Sequence, residues 1–374
     1  MHATLRYVAE DAPTGYGDAA DRLVRAVRGT GARVELRGWS NTRGGAAPAL
    51  LPFSRDPLPR EAAVPGAPTV AHLVPEHYPL VRSVVADGPL VAHTVWETDR
   101  LPRHWPELLH ATDRVIVPSE WNREVFTASG VRTSIAVVPH VATTPHPGDG
   151  GVGLGVDAED FVFYTIGRWD ERKAVFLAVE AYLRAFTAAD PVVLVVKTGA
   201  RLEMPAGEWG AGNPRSWTTA WHLASVVRQF RNPARVRLEV EPWSDDRIAG
   251  LHARGDCYLT LARGEGWGMG AFDASAYGNP VIATGWGGFL AYLDDDSAFL
   301  VDHTLTPVEH HASRSYSRDQ QWAAPDLDHA VDLLRAVVAG PDAARRRAAM
   351  ARARVLDEYA PARVAATFLD ALKW

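Results

Sequence analysis

Arg263-Gly264-Glu265-Gly266-Trp267-Gly268-Met269-Gly270-Ala271-Phe272-Asp273 is the stretch that decides how this chain folds. Just upstream, Cys257 to Ala262 reads as a short buried strand. Just downstream, Ala271 to Tyr277 reads as the start of a helix, closed by Gly278-Asn279-Pro280. Strand, glycine loop and helix N-terminus together make an anion site. Backbone N–H groups are free there, and the helix dipole adds partial positive charge. Two carboxylates, Glu265 and Asp273, flank the loop and can accept hydrogen bonds from hydroxyls. Diphosphate plus hydroxyls is the chemistry of a nucleotide sugar.

Working outward, short apolar runs alternate with helical periodicity on both sides of this loop. Upstream candidates for strands are Leu5 to Ala9, Arg33 to Arg37, Thr69 to Val74, Leu90 to Val95, Arg114 to Val117 and Ile135 to Val138. Asp18 to Val27 has helix spacing. Residues 41 to 67 are rich in Gly, Pro and Ala and read as a long loop or a poorly ordered excursion. A second series runs through Phe161 to Ile166, Val192 to Val196, Val236 to Val240, Cys257 to Ala262 and Val281 to Thr284. The chain from Asp326 onward reads as mostly helical. Such alternation predicts α/β units with parallel sheets. The expected division is residues 1–142 as one Rossmann-like domain, a turn-rich linker at 143–154, a second Rossmann-like domain over 155–350, and a final helix over 351–374.

Composition narrows the function classes. The chain has 374 residues, 47% hydrophobic, enough for two cores. A net charge of −6 gives no overall basic character that would call for nucleic acid or a membrane surface. The lone cysteine, Cys257, excludes an intrachain disulfide or a thiolate cluster and fits a reducing cytoplasm, with the residue itself in a core strand. No apolar run reaches the length of a membrane span, and the first residues carry no signal pattern. Arg345-Arg-Arg347 with Arg352 and Arg354 reads as a solvated helix face.

Glu265-x7-Asp273 resembles the E-x7-E signature of retaining glycosyltransferases of the GT-B fold, specifically family 4. Gly278-Asn-Pro-Val-Ile-Ala-Thr284 is similar to that family's G-x-P-V-I-A-T segment. The resemblance implies two Rossmann-like domains with parallel sheets facing a cleft, and a last helix, within 351–374, that crosses back onto the first domain. It also implies that Glu265 contacts the donor sugar and Asp273 the ribose. Asp273 stands where the family usually has Glu, one methylene longer. Arg168 and Lys173, in Tyr164-Thr-Ile-Gly-Arg-Trp-Asp-Glu-Arg-Lys173, resemble the G-R-x(n)-K-G element whose cations neutralise the donor diphosphate. Fixed cations stabilise the charge a nucleoside diphosphate gains on leaving. The family's glycine after the lysine is Ala174 here. Gly266, Trp267, Gly268, Met269 and Gly270 complete the donor loop. Trp243, in Glu239-Val-Glu241-Pro-Trp243, falls where the family holds the base, with core packing as the alternative. Lys197 ends its strand as a weaker candidate.

In the first domain, Gly15-Tyr16-Gly17 follows the first strand. It reads either as a backbone approach to the diphosphate or as a tight turn. Trp96 and Glu97 resemble a W-E-x-x-x-L-P variant of the family and are candidates for acceptor contacts, with Glu97 orienting the acceptor hydroxyl, acting as a base or supporting the start of the following helix. His72, His77 and His140 fall at strand ends and are candidates for acceptor contacts or buried structural groups. Ser119 reads as a helix N-cap. Asp294-Asp295-Asp296 satisfies D-x-D formally and reads as a solvated turn, so no metal is expected. Trp322-Ala-Ala-Pro325 reads as a turn.

The implied activity is transfer of a hexose-type sugar from a nucleotide-diphosphate donor to an acceptor hydroxyl on a natural product or cell-surface glycan. The configuration would be retained by a front-face, metal-independent route without a cofactor. The alternatives are another GT-B enzyme, such as a sugar phosphorylase or a nucleotide-sugar epimerase, or a non-catalytic nucleotide-sugar-binding partner protein. Sugar, base, acceptor and oligomeric state are not legible.

Overall fold

A computed structural model describes residues 4–11, 14–40, 48–54, 56, 65–85, 87–202, 218–309, 313 and 315–373. It divides into two compact units. Unit 1 comprises residues 1–96, 100–143 and 356–374, and unit 2 comprises 97–99 and 144–355.

Unit 1 contains β1 (Thr4–Ala9), α1 (Gly15–Arg28), β2 (Arg33–Ser40), β3 (Ala49–Pro52), β4 (Thr69–His72), α2 (Tyr78–Val84), β5 (Leu90–His93), α3 (Trp105–His110), β6 (Arg114–Val117), α4 (Glu120–Ala128) and β7 (Ile135–Val137). Its sheet order is β3-β2-β1-β4-β5-β6-β7. All pairings are parallel except β2–β3. β4 and β5 are buried throughout, so they read in the sequence as continuous apolar runs. β3 corrects the reading of 41–67 as one loop. It is a short antiparallel edge strand whose surroundings lack periodicity, and residues 41–47, 55 and 57–64 lie outside the described residues. Ser119 does cap α4, its hydroxyl accepting from the Asn122 amide at 3.2 Å.

Unit 2 contains β8 (Phe161–Ile166), α5 (Val175–Ala185), β9 (Val192–Lys197), α6 (Thr219–Val227), β10 (Arg235–Glu239), α7 (Asp245–Arg254), β11 (Cys257–Thr260), α8 (Met269–Tyr277), β12 (Val281–Thr284), β13 (Phe299–Val301), β14 (His303–Pro307), β15 (Gln321–Pro325), α9 (Leu327–Ala339) and most of α10 (Pro341–Glu358). Its main sheet runs β10-β9-β8-β11-β12-β13, all parallel. Phe163, Leu194, Leu259 and Ile282 form its buried centre with Tyr182 and Leu334 from α5 and α9. Each such side chain contributes roughly 1.5–3 kcal/mol of burial. The strand order reverses between β8 and β11, which is the topological switch point where ligands bind in such sheets. Cys257 is fully buried in β11, and burial raises its thiol pKa far above the ordinary value.

Residues 144–154 belong to unit 2, where the Asp149 amide donates to the Asp246 carbonyl on α7. Residues 356–374 belong to unit 1, where α11 (Pro361–Ala371) packs on α1 and Phe368 meets Tyr7. Trp322-Ala-Ala-Pro325 is a strand rather than a turn, since β15 pairs antiparallel with β14. The α10 arginines are also not a simple solvated face. Arg347 donates to the Ala298 carbonyl, Arg352 to the Ala276 carbonyl, and Arg354 pairs with Asp294 at 2.6 Å. Asp294 thereby serves as an anchor for α10 and also accepts from Ser297. Among the described residues no helix is long and apolar enough to cross a membrane.

Candidate active site

The switch point of unit 2 is built by two loops, one after β8 and one after β11. They are joined directly, because the Arg263 amide donates to the Arg172 carbonyl at 2.7 Å. In the first loop, Asp170 is buried and its Oδ1 accepts from the Lys173 amide at 2.6 Å. The Asp170 carbonyl accepts from the Ala174 amide at 2.9 Å. This tight turn leaves Ala174 at φ 46°, in the left-handed region, where the family sequence has glycine. An L-residue there costs roughly 1–2 kcal/mol.

The second loop requires its glycines sterically. A Cβ on Gly268 would lie 2.2 Å from the Phe289 ring, and its φ is +89°. A Cβ on Gly264 would lie 2.2 Å from the Glu97 carbonyl oxygen. Tyr292 holds the far side of the loop by donating to the Trp267 and Gly268 carbonyls at 3.1 and 2.9 Å. Trp267 itself is buried against Phe272 and Tyr292, so its indole supports the loop from within the core.

Ala174 and Gly268 are the N-cap positions of α5 and α8, and no side chain caps either helix. The helices α1, α4, α6, α7 and α9 are each capped by a Ser, Thr or Asp side chain. α2, α3 and α11 also lack a side-chain cap, but it is the α5 and α8 termini that border one pocket, lined by Thr165, Gly167, Lys173, Glu265, Gly268 and Gly270. Its wall also includes Val175 and Ala271, in the first turns of α5 and α8. Two converging helix N-termini and a lysine favour an anion.

Glu265 is nearly buried and carries two cations. Lys173 Nζ donates to its Oε1, and Arg172 Nη1 lies 3.4 Å from its Oε2. The two cations differ in freedom. The Lys173 side chain is 24% exposed, whereas that of Arg172 is 6% exposed and its Nη1 donates to the Gly264 carbonyl at 2.7 Å. Burial disfavours the charge on Arg172. Glu97 foremost, then Tyr316, Glu265 and Asp170 outweigh that and hold the guanidinium pKa well above its ordinary value. The motif pointed to Arg168, but the first loop brings Arg172 to Glu265. Arg168 is 57% exposed at its side chain and lies 3.7 Å from Asp170. The signal available in sequence was only that Arg172 abuts Lys173.

Asp273 is buried on α8, and Met269 and Gly270 are half-buried in its first turn. Trp243 is half-buried, not core. Arg247 sits over its ring at 4.5 Å and Lys197 at 5.5 Å. Burial lowers the Lys197 pKa against the opposing pull of Glu239 and Glu241. Glu97 belongs to unit 2 and accepts from the Tyr316 hydroxyl at 2.8 Å, with Arg172 Nη2 at 3.9 Å.

In unit 1, His72 and His93 end adjacent strands and stack at 3.9 Å, with His140 6.3 Å from His72. The Tyr7 hydroxyl lies 2.9 Å from Nδ1 of both His72 and His93. One hydroxyl has one proton, so it donates to one ring and accepts from the other, and the two imidazoles hold opposite tautomers. Burial, then the neighbouring imidazoles, lowers both histidine pKa values well below the ordinary one. His77 lies apart, 5.9 Å from Trp39. Two further residues have structural duties. Trp96 is buried against Trp105, and its indole N–H donates to the Arg100 carbonyl at 2.7 Å, so it is a core residue rather than a wall for an acceptor. The Gly17 amide is taken by Thr14 Oγ1 at 3.2 Å as the α1 cap, while Gly15 is open.

Two units with parallel Rossmann-like sheets define the GT-B class, and the solved structures agree. Anabaena HepE, solved in complex with UDP and glucose, superposes with a TM-score of 0.66 at 14% identity, covering 99% of both chains. Sucrose-phosphate synthase from Thermosynechococcus elongatus superposes with a TM-score of 0.67 at 15% identity, covering 99% of this chain and 98% of that one. Residues 120–368 match the family described as "Family 4 Glycosyltransferase in conflict systems", and the chain belongs to that family. D-inositol 3-phosphate glycosyltransferase of Rhodococcus opacus (strain B4) is 28% identical over 228 residues, 59% of this chain and 44% of the relative. The match thus spans less than half the length of that relative.

Proposed function

We propose that this chain transfers a hexose from a uridine-diphosphate sugar to an acceptor hydroxyl, with retained configuration and without a catalytic metal or cofactor. The observation that carries the proposal is the Glu265 carboxylate held by Lys173 and Arg172 beside two uncapped helix N-termini at the switch point. The α5 and α8 amides, Lys173 and Arg168 take the diphosphate. Lys173 can exchange Glu265 for a phosphate oxygen because it is the more exposed cation of the two. Glu265 then accepts a donor-sugar hydroxyl, Asp273 the ribose hydroxyls, and Trp243 with Lys197 borders the base. Glu97 orients the acceptor hydroxyl. His72, His77, His140 and the open Gly15 belong to the acceptor-bearing unit.

In the reaction, the bond from the sugar C1 to the phosphate oxygen breaks and its electron pair leaves with the diphosphate. The acceptor oxygen bonds C1 on the same face, and its proton passes to the departing phosphate oxygen. A double displacement is disfavoured because Arg172 stays on Glu265 after Lys173 turns to the phosphate and weakens the carboxylate as a nucleophile. The protein contributes positioning and charge stabilisation. The HepE complexes with UDP-glucose support the uridine donor by analogy of fold. Thermal shift against UDP-, GDP-, ADP- and dTDP-sugars, with and without EDTA, tests the reading. It expects stabilisation by a UDP-sugar that EDTA leaves unchanged. No shift by any donor on folded protein refutes it.

A further inference from the structure

Glu97-Thr98-Asp99 belongs to unit 2, although the chain on both sides of it belongs to unit 1. Its backbone is pinned to the β14–β15 hairpin. The Asp99 amide donates to the Gln321 carbonyl at 3.0 Å, and the Gln321 amide donates to Asp99 Oδ1 at 2.6 Å. The hairpin is pinned in turn to the glycine loop, with the Ala323 amide donating to the Arg263 carbonyl at 2.8 Å.

Each oxygen of the Glu97 carboxylate has its own partner. Oε2 accepts from the Tyr316 hydroxyl at 2.8 Å, and Oε1 faces Arg172 Nη2 at 3.9 Å. Burial first, and the Glu97 charge second, hold the Tyr316 phenol well above its usual pKa, so it remains a donor. Arg172 reaches Glu265 through its other terminal nitrogen. One captive guanidinium therefore holds Glu97 and Glu265 together, and it stays in place when Lys173 turns to a phosphate. A carboxylate offers about four lone-pair sites, so two partners leave acceptor capacity for a hydroxyl. At 17% side-chain exposure Glu97 is still open to one.

We infer that Tyr316 and Arg172 are positioning residues for Glu97, so that the β14–β15 hairpin sets the orientation of the acceptor hydroxyl. The inference rests on the reading of Glu97 as the acceptor-orienting group. Buried Arg172 is a costly group to retain for stability alone, whereas fixing supporting hydrogen bonds is what a catalytic constellation needs.

UDP release from UDP-glucose, with water as acceptor, tests this on the full chain. Tyr316→Phe should lower kcat by roughly tenfold or more, tenfold being the lower end of the loss for one hydrogen bond to a charged group, with the KM for UDP-glucose close to wild type. In a Glu97→Gln background the same substitution should cost almost nothing further, because Tyr316 acts through Glu97. Arg172→Lys should lower kcat more and also raise the donor KM, since Glu265 loses its captive partner. Melting curves check folding, and Tyr316→Phe keeps the ring should Arg172→Lys not fold. Unchanged kcat in Tyr316→Phe, or the same fold loss in the Glu97→Gln background, overturns the inference while leaving the transferase reading intact. Wild-type protein that releases no UDP from any UDP-sugar overturns that reading and this inference together.

Discussion

Replacing Lys173 by methionine should separate ligand binding from stability. Lys173 has two prospective partners, Glu265 in the free protein and a diphosphate in the complex. A hydrogen bond to a charged group contributes about 1.5–3 kcal/mol. Its loss weakens UDP binding by roughly 10- to 150-fold. The fold should lose much less. Breaking a buried pair costs about 3–5 kcal/mol when the remaining charge is uncompensated. Here Glu265 keeps Arg172 at 3.4 Å, and Lys173 is 24% exposed and partly screened. Methionine also retains most of the apolar stem. A cost of about 1 kcal/mol is expected, a shift of roughly 2–4 °C for a domain of this size. Isothermal titration with UDP and a melting curve measure both numbers. UDP affinity within threefold of wild type, in a protein that is still folded, would refute the assignment of Lys173 to the diphosphate.

Further perturbations follow from the same geometry. Gly268→Ala places a methyl into the Phe289 ring at a left-handed backbone position, and a loss of roughly 2–5 kcal/mol is expected from strain plus overpacking; a melting temperature equal to wild type would contradict the loop geometry. Ala174→Gly relieves about 1–2 kcal/mol of left-handed strain but removes a fully buried methyl and adds unfolded-state entropy, so a change within about 1 kcal/mol is expected in denaturant melts. His72 and His93 have folded pKa values below the unfolded value of about 6.5. The unfolded chain therefore binds more protons below that pH, and stability falls as pH drops through it. The melting temperature should decrease from pH 7 to pH 5, and His93→Phe should flatten the decrease; an unchanged slope would show that the pair is not its source.

The strands of both sheets were legible because parallel strands buried on both faces leave continuous apolar runs, as in Val192–Lys197 and Val281–Thr284. The donor loop was legible because close backbone packing admits only glycine at Gly264 and Gly268. The β14–β15 hairpin was not, since its strands carry Thr, His, Gln and Pro instead of a continuous apolar run. Nor could the sequence choose between Arg168 and Arg172. Which of the two is buried depends on the Asp170 turn and on the Arg263–Arg172 backbone bond, and both of those are tertiary. Trp96 and Trp267 stood inside motif-like segments yet serve the core, because a large aromatic next to a site is often what holds the backbone there.

Time-resolved proton NMR of the sugar released from UDP-glucose by the wild-type protein tests the central claim most directly. Transfer to water at the Glu265 site with retention predicts that the α-anomer appears first and then mutarotates. A β-anomer appearing first, or no release of sugar by folded protein, would contradict it.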